Sequence, residues 1–171
     1  MNWAVIFDWD GVIVDSSSHH KESWERLAEE EGKELPPNHF KKGFGMRNQT
    51  IIPDLLGWTK EPAEIKRLSR RKEELYRVLI EEKGLNPLPG VQDLLSDLHR
   101  MDVPCAVASS TSRLNITTAL EHMGMEHEFE TIVAGEDVEN GKPAPDVFLK
   151  AAKSLNVSPS HCIVIEDAHV G

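Results

Sequence analysis

The sequence lacks several features that would assign it to a membrane, secreted or nucleic-acid-binding class. Its 171 residues contain no apolar run long enough to cross a bilayer, and the opening MNWAVIFDWD has neither the basic region nor the cleavage pattern of a signal peptide. Basic residues are in deficit, with 19 Lys and Arg against 29 Asp and Glu, whereas nucleic-acid binding needs a basic surface. We therefore expect a cytoplasmic protein that binds neither membranes nor nucleic acid.

Cysteine is also scarce. Cys105 and Cys162 both fall in apolar, strand-like runs, which predicts buried thiols in a reducing compartment rather than a disulfide. The length suits one domain, or one core with a modest insertion. We expect a monomer or a weak dimer.

The chain changes character near residue 86. Before that point, apart from an apolar run at residues 4–7, the pattern is helical, and residues 61–82 carry apolar side chains at spacings near the helical period. After it, short apolar runs alternate with helical segments. Strands are predicted at residues 4–7, 103–108, 131–134 and 162–165, and the later helices at residues 91–101, 114–123 and 145–155.

Strands that alternate with helices indicate a parallel sheet built from βαβ units. The predicted fold is therefore an α/β core formed by residues 1–15 and 86–171, with a mostly helical insertion at residues 16–85. Ligands of such sheets bind at the carboxyl ends of the strands. The polar residues that follow the predicted strands are Asp8 and Asp10, Ser109 and Ser110, Lys142, and Glu166 and Asp167.

These four segments, in this order, resemble the motifs of the haloacid dehalogenase (HAD) superfamily, and within it the β-phosphoglucomutase-like phosphatases with a helical cap. The resemblance implies a Rossmann-like parallel-sheet core with the cap inserted after the first strand. The matching segments are Asp8-Trp9-Asp10-Gly11-Val12, Ser109, Lys142-Pro143-Ala144-Pro145-Asp146 and Glu166-Asp167-Ala168-His169-Val170-Gly171.

The resemblance implies phosphoryl transfer through an aspartyl-phosphate. Asp8 would be the nucleophile, and Asp10 the general acid for the leaving oxygen and then the base for water. Their spacing would put both side chains on one face of an extended strand, although the turn that follows decides their aim. Ser109 and nearby amides would hold phosphate oxygens, and Lys142 would neutralise both phosphate and nucleophile.

The resemblance also implies Mg²⁺ as the cofactor. Its ligands would be the Asp8 carboxylate, the Asp10 backbone carbonyl and Asp167, with Glu166 helping directly or through water. Small phosphorylated metabolites would be the substrates.

Four further residues are candidates for substrate contact: His20, Arg47, Lys72 and Ser110. His20 lies where β-phosphoglucomutase-like proteins carry a histidine at the cap hinge, and the adjacent His19 cannot share a metal-binding helix face with it. Arg47 follows a glycine turn. Lys72 interrupts the apolar stripe of the long helix, so it either reaches out of a helix interface into solvent or points towards substrate from the cap.

Two departures from the mutase pattern favour a phosphatase. No lysine occurs in the Ser110-Thr111-Ser112-Arg113 stretch, and Phe44 stands where mutases tend to place a lysine. A sugar phosphomutase of the β-phosphoglucomutase type remains an alternative. A further alternative is a catalytically impaired fragment that acts as a binding protein, because family members continue beyond the fourth motif. On that ground we expect the C-terminal part of the core to be missing and the strand at residues 162–165 to lack a neighbour.

Overall fold

The computed structural model describes residues 3–43 and 46–169 and divides the chain into two compact units. A helical unit spans Ser17–Gly84, and an α/β unit combines the residues up to Ser16 with those from Leu85 onwards. Phe44, on which one of the arguments against a mutase depends, and Val170-Gly171 of the fourth motif lie outside the described residues.

The described elements follow the predicted alternation. The strands are β1 (Ala4–Phe7), β2 (Cys105–Ala108), β3 (Thr131–Val133) and β4 (Cys162–Ile165). The α-helices are α1 (Ser17–Glu31), α2 (His39–Gly43), α3 (Asn48–Thr50), α4 (Pro62–Lys83), α5 (Val91–Arg100), α6 (Arg113–Met123) and α7 (Asp146–Ser154). Short 3₁₀ turns occur at Gly135–Asp137 and Pro159–His161, and a π-helical turn at Ile51–Leu55.

The four strands form one parallel sheet in the order β3-β2-β1-β4. β1 is fully buried along its length, which its four apolar residues predict for a strand with neighbours on both sides. β2 begins at Cys105 rather than at the predicted residue 103. Pro104 has no amide to donate, although its carbonyl accepts from the Val5 amide at 3.1 Å. The α/β fold with a parallel sheet is as predicted.

β4 pairs with β1 and has no second neighbour among residues 3–43 and 46–169. Its Ile163 and Val164 side chains are consequently exposed, by 53% and 42%. Both cysteines are free thiols, as expected, but only Cys105 is buried. Cys162 is half-buried, so the prediction of burial was wrong there, because this strand lies at the edge of the sheet.

The helical unit is organised by α1 and α4. Pro62 occupies the first turn of α4, where a missing amide costs nothing, and Gly84 ends the helix with φ +74°. On the solvent side, Arg67 pairs with Glu31 at 2.6 Å and so links the two helices. No helix among the described residues has the length and apolar character needed to span a bilayer. The buried apolar residues of this unit include Trp24, Leu27, Ile51, Ile52, Leu56, Leu68 and Leu75.

Candidate active site

The first strand delivers Asp8 to the carboxyl edge of the sheet. β1 ends at Phe7, and the Asp8 amide then donates to the Ile165 carbonyl of β4 at 2.9 Å. The Asp8 side chain is buried, and its Oδ1 lies 2.9 Å from Lys142 Nζ. The residue that follows β1 is therefore a carboxylate that is largely shielded from water and paired with one lysine.

Lys142 lies between two carboxylates. Its Nζ is 2.9 Å from Asp8 Oδ1 and 2.5 Å from Glu166 Oε2, and its side chain is only 7% exposed. The Phe148 ring, 4.9 Å from Nζ, adds a cation–π contact. Glu166 is oriented in turn by the Ala168 amide, which donates to Oε1 at 3.0 Å. One cation thus offsets two acids that follow two different strands.

Three carboxylates converge beside this lysine. One oxygen each of Asp8, Glu166 and Asp167 lies within 4.8 Å of the others. Gly11 makes the approach possible, because its φ of +83° suits glycine and a Cβ there would overlap the Asp167 carboxylate. Carboxylate oxygens are the ligands that Mg²⁺ prefers. The donor set therefore fits a hard divalent cation.

Opposing effects set the protonation of Asp8. Burial raises its pKa, the charge and hydrogen bond of Lys142 lower it, and the charge of Glu166 raises it again, so that the pKa is about 6. Asp167 is exposed, yet partial desolvation raises its pKa, and the charge of Glu166 acts in the same direction. A bound cation would favour the ionised forms of both acids.

Asp10 has partners different from those of Asp8. The chain turns after β1, and the Gly11 amide donates to the Val14 carbonyl at 2.8 Å. The Ser16 hydroxyl donates to Asp10 Oδ1, and Thr111 Oγ1 donates to Asp10 Oδ2 at 2.5 Å. Neither acid lies within β1, which ends at Phe7, so the two side chains do not share a strand face as their spacing predicted.

The Ser109 loop is fixed by backbone contacts. The Ser109 amide donates to the Val133 carbonyl at 2.9 Å, and the buried Ser109 Oγ accepts from the Thr111 amide at 3.1 Å. Ser110 is half-buried in the same loop, and a Cβ at Gly135 would overlap its carbonyl oxygen. Gly135 is therefore needed for the close approach of the β3 loop to the β2 loop.

The other three substrate candidates lie in the helical unit. Lys72 is 2% exposed, so the alternative in which its side chain reaches into solvent is wrong. Its Nζ contacts His20 Nδ1 at 2.7 Å and Glu73 Oε1 at 3.2 Å, because the side chain remains inside the packing of α1 against α4. Arg47 is half-buried and immediately precedes α3. The predicted substrate roles of His20, Arg47, Lys72 and Ser110 stay predictions.

Sequence reasoning did not identify three residues at the sheet edge. The sequence motifs marked neither Ser16 nor Thr111 as a site residue, yet the hydroxyl groups of both donate to Asp10. Gly135 carried no motif signal. A run of hydroxyl residues after a strand end was the only hint for Thr111, since its contact with Asp10 spans 101 positions of sequence.

Known proteins share this sequence pattern and fold. The sequence model of the family described as haloacid dehalogenase-like hydrolase matches residues 5–171. A chloroplastic 5-amino-6-(5-phospho-D-ribitylamino)uracil phosphatase from Arabidopsis thaliana is 36% identical over 98% of this chain, and the chain spans 47% of that relative's length. A phosphorylated carbohydrates phosphatase from Thermotoga maritima is 31% identical over 98% of this chain and 77% of its own.

Solved structures agree. A β-phosphoglucomutase from Clostridium difficile has a TM-score of 0.87 at 32% identity, covering 100% of this chain and 78% of that protein. These matches confirm the family predicted from the four motifs, together with its fold and its hydrolase class.

Proposed function

The chain belongs to the haloacid dehalogenase-like hydrolase family, and on that basis we propose that it is a cytoplasmic Mg²⁺-dependent phosphatase of a small phosphomonoester, such as a sugar phosphate. The observation that carries the proposal is the cluster of Asp8, Lys142, Glu166 and Asp167 at the carboxyl edge of the sheet. The names of the two phosphatase relatives support small phosphorylated compounds as the substrate class.

Asp8 is the nucleophile in this proposal. With a pKa of about 6, it is mostly ionised at neutral pH. Lys142, 2.9 Å away, offsets part of the repulsion between this carboxylate and an incoming phosphate dianion. An Asp8 oxygen attacks phosphorus, the bond to the leaving alcohol breaks, and the phosphoryl group is left on Asp8. Water then attacks the aspartyl-phosphate, frees Asp8 and yields inorganic phosphate.

The carboxylates of Asp8 and Asp167 and the backbone carbonyl of Asp10 would hold Mg²⁺, with Glu166 as a direct or water-mediated partner. Bound there, the ion would supply positive charge that offsets the phosphate dianion and favours attack on phosphorus. Lys142 adds a second positive charge from the protein itself.

Asp10 and Ser109 complete the set. Asp10 gives a proton to the leaving oxygen and later accepts one from the attacking water, a contribution of roughly 10²–10⁴-fold in rate. Ser109 Oγ accepts from the Thr111 amide, which leaves its own proton available for a phosphate oxygen.

A sugar phosphomutase is the second candidate, and the similarity to a solved β-phosphoglucomutase favours it. A mutase would return the phosphoryl group to a reoriented intermediate rather than to water. The lack of a lysine in residues 110–113 supports the phosphatase instead.

Phosphorus NMR of the purified chain with Mg²⁺ and a panel of sugar phosphates tests the proposal. The panel includes β-glucose 1-phosphate with a trace of the bisphosphate. We expect inorganic phosphate to form, and Asp8→Asn to abolish it. Asp93→Asn, an exposed change on α5, should leave the rate unchanged. Glucose 6-phosphate formed without phosphate release would identify a mutase, and a folded chain without any turnover would favour a binding role.

A further inference from the structure

Two hydroxyl groups from separate segments hold the Asp10 carboxylate. Ser16 Oγ donates to Oδ1, and Thr111 Oγ1 donates to Oδ2 at 2.5 Å. Each carboxylate oxygen of Asp10 therefore accepts a hydrogen bond. One donor follows β1 in the chain, and the other lies in the loop after β2.

The backbone of Thr111 is fixed on both sides. Its amide donates to Ser109 Oγ at 3.1 Å, and its carbonyl accepts from the Gly135 amide at 3.1 Å. The second contact requires a glycine, because a Cβ at position 135 would overlap the Ser110 carbonyl oxygen. The Thr111 hydroxyl thus reaches Asp10 from a loop whose backbone is hydrogen-bonded to Ser109 and to Gly135, which follows β3.

We propose that Thr111 is a positioning residue whose hydroxyl, with that of Ser16, aims the Asp10 carboxylate at the leaving-group oxygen. Because the carboxylate is already held in one orientation, less conformational entropy is lost when the proton is transferred. This inference rests on the proposed acid/base role of Asp10.

The competing interpretation is that the Thr111 hydroxyl binds a substrate phosphate. The two roles predict different kinetics. A positioning residue affects the step in which the leaving oxygen takes up a proton, whereas a phosphate ligand affects substrate affinity whatever the leaving group. The leaving group is therefore the variable to change.

The test compares Thr111→Val, which keeps the shape and removes the hydroxyl, with Thr111→Ser, which keeps the hydroxyl. Thr117→Val on α6 is the matched control, because that hydroxyl donates to the Leu114 carbonyl instead. Each variant is assayed with Mg²⁺ on the sugar phosphate of fastest turnover and on p-nitrophenyl phosphate, whose leaving group departs without a proton. Thr111→Ala serves as a second hydroxyl-free variant if Thr111→Val is poorly folded.

We expect Thr111→Val to lower kcat/KM for the sugar phosphate by roughly 10- to 100-fold, a part of the whole acid/base contribution, and for p-nitrophenyl phosphate by less than about threefold. Thr111→Ser should restore most of the loss, and Thr117→Val should match the wild type. Equal losses on both substrates, a rise in KM alone, or no rescue by serine would each overturn the inference.

A readout without turnover separates this inference from the proposed function. In the metal-free protein, the Thr111 hydroxyl proton should exchange slowly with water and give an NMR signal that disappears in Thr111→Val. If the wild type hydrolyses no phosphoester, the proposed function fails, yet the signal still decides whether Thr111 holds Asp10. If the enzyme is active and the signal is absent, the positioning role alone is wrong.

Discussion

In the described part of the chain, each of the two units has a lysine whose side chain is largely withdrawn from solvent, Lys142 and Lys72, and the surroundings of the two differ. In the α/β unit, Lys142 Nζ lies 2.9 Å from Asp8 and 2.5 Å from Glu166. In the helical unit, Lys72 donates to the His20 ring at 2.7 Å and contacts Glu73 at 3.2 Å. The first lysine contacts two carboxylates, whereas the second contacts one carboxylate and an imidazole nitrogen.

Aromatic packing sharpens the contrast. Lys72 Nζ lies 5.7 Å from the centre of the Trp24 ring and 5.5 Å from that of Tyr76, and Glu73 also accepts from Asn48 Nδ2 at 2.6 Å. Polar partners and ring faces therefore share the task of stabilising the Lys72 charge. Burial alone therefore does not indicate that a lysine is needed for stability or activity. The charge of the neighbouring groups decides how much stability and activity are lost when the lysine is replaced.

The largest expected effect is that of Lys142→Met. The change leaves Asp8 and Glu166 buried without their shared cation, so the free energy of unfolding at pH 7 should fall by about 3 kcal/mol without Mg²⁺. Activity should fall by roughly 10²–10³-fold, as when one electrostatic contact to the reacting group is lost. Urea unfolding and steady-state kinetics measure the two effects, with the exposed Lys153→Met as the control. If Lys142→Met retained its activity, the proposed difference in role between Lys142 and Lys72 would be wrong.

A smaller effect concerns pH. The pKa of Asp8 is about 6 in the folded chain against an ordinary 3.8, so the folded state binds more protons between these values. The stability that this extra proton binding contributes to the folded state is fully present below about pH 3.8 and is lost as the pH rises through about 6. Asparagine does not ionise, so we expect Asp8→Asn to raise the free energy of unfolding of the metal-free protein near neutral pH by an amount on the order of 2 kcal/mol. Asp167, whose pKa is also raised, contributes in the same direction.

Urea unfolding of wild type and Asp8→Asn across pH 4–8 checks this expectation. The two curves should converge at acid pH and separate towards neutrality, with the asparagine variant the more stable. Adding Mg²⁺ at pH 7 should stabilise the wild type by mass action and narrow the gap. Parallel curves without Mg²⁺ would contradict the assigned shift.

The smallest effect is expected for Lys72→Met. A methionine would keep the contacts with Trp24 and Tyr76 and remove a buried charge that is costly to desolvate, so the free energy of unfolding should change by less than about 1 kcal/mol or rise slightly. The matched control is Lys66→Met, an exposed position on the same helix. A loss comparable to that of Lys142→Met would show that both lysines meet the same electrostatic demand.

The sequence predicted the elements that carry the sheet edge. β1 and β4 occupy the predicted residues, since each is a compact apolar run followed by acids, and α4 differs from its prediction by one residue at each end. Pattern alone placed the start of β2 two residues too early, because the apolar run continues through a proline that cannot take part in the ladder as a donor.

Contacts between distant side chains were harder to predict. Strand-end reasoning indicated which segments meet, but it could not show that Asp8 and Asp10 would have separate partners, because the turn at Gly11 decides their directions. Nor could it show that Thr111 reaches Asp10. The stripe position of Lys72 was evident in the sequence, whereas its ring and imidazole partners depend on how α1 packs against α4.

The hydrogen bond from the Asp8 amide to the Ile165 carbonyl ties the backbone of the proposed nucleophile to β4, which has no second neighbour among residues 3–43 and 46–169. Edge elements belong to the parts of a fold that open locally at lower free energy than global unfolding. An opening of β4 would break that bond and would carry Glu166 and Asp167, the next two residues, away from Asp8. Amide exchange at Asp8 therefore reports how often the assembled acid cluster comes apart while the rest of the sheet stays folded.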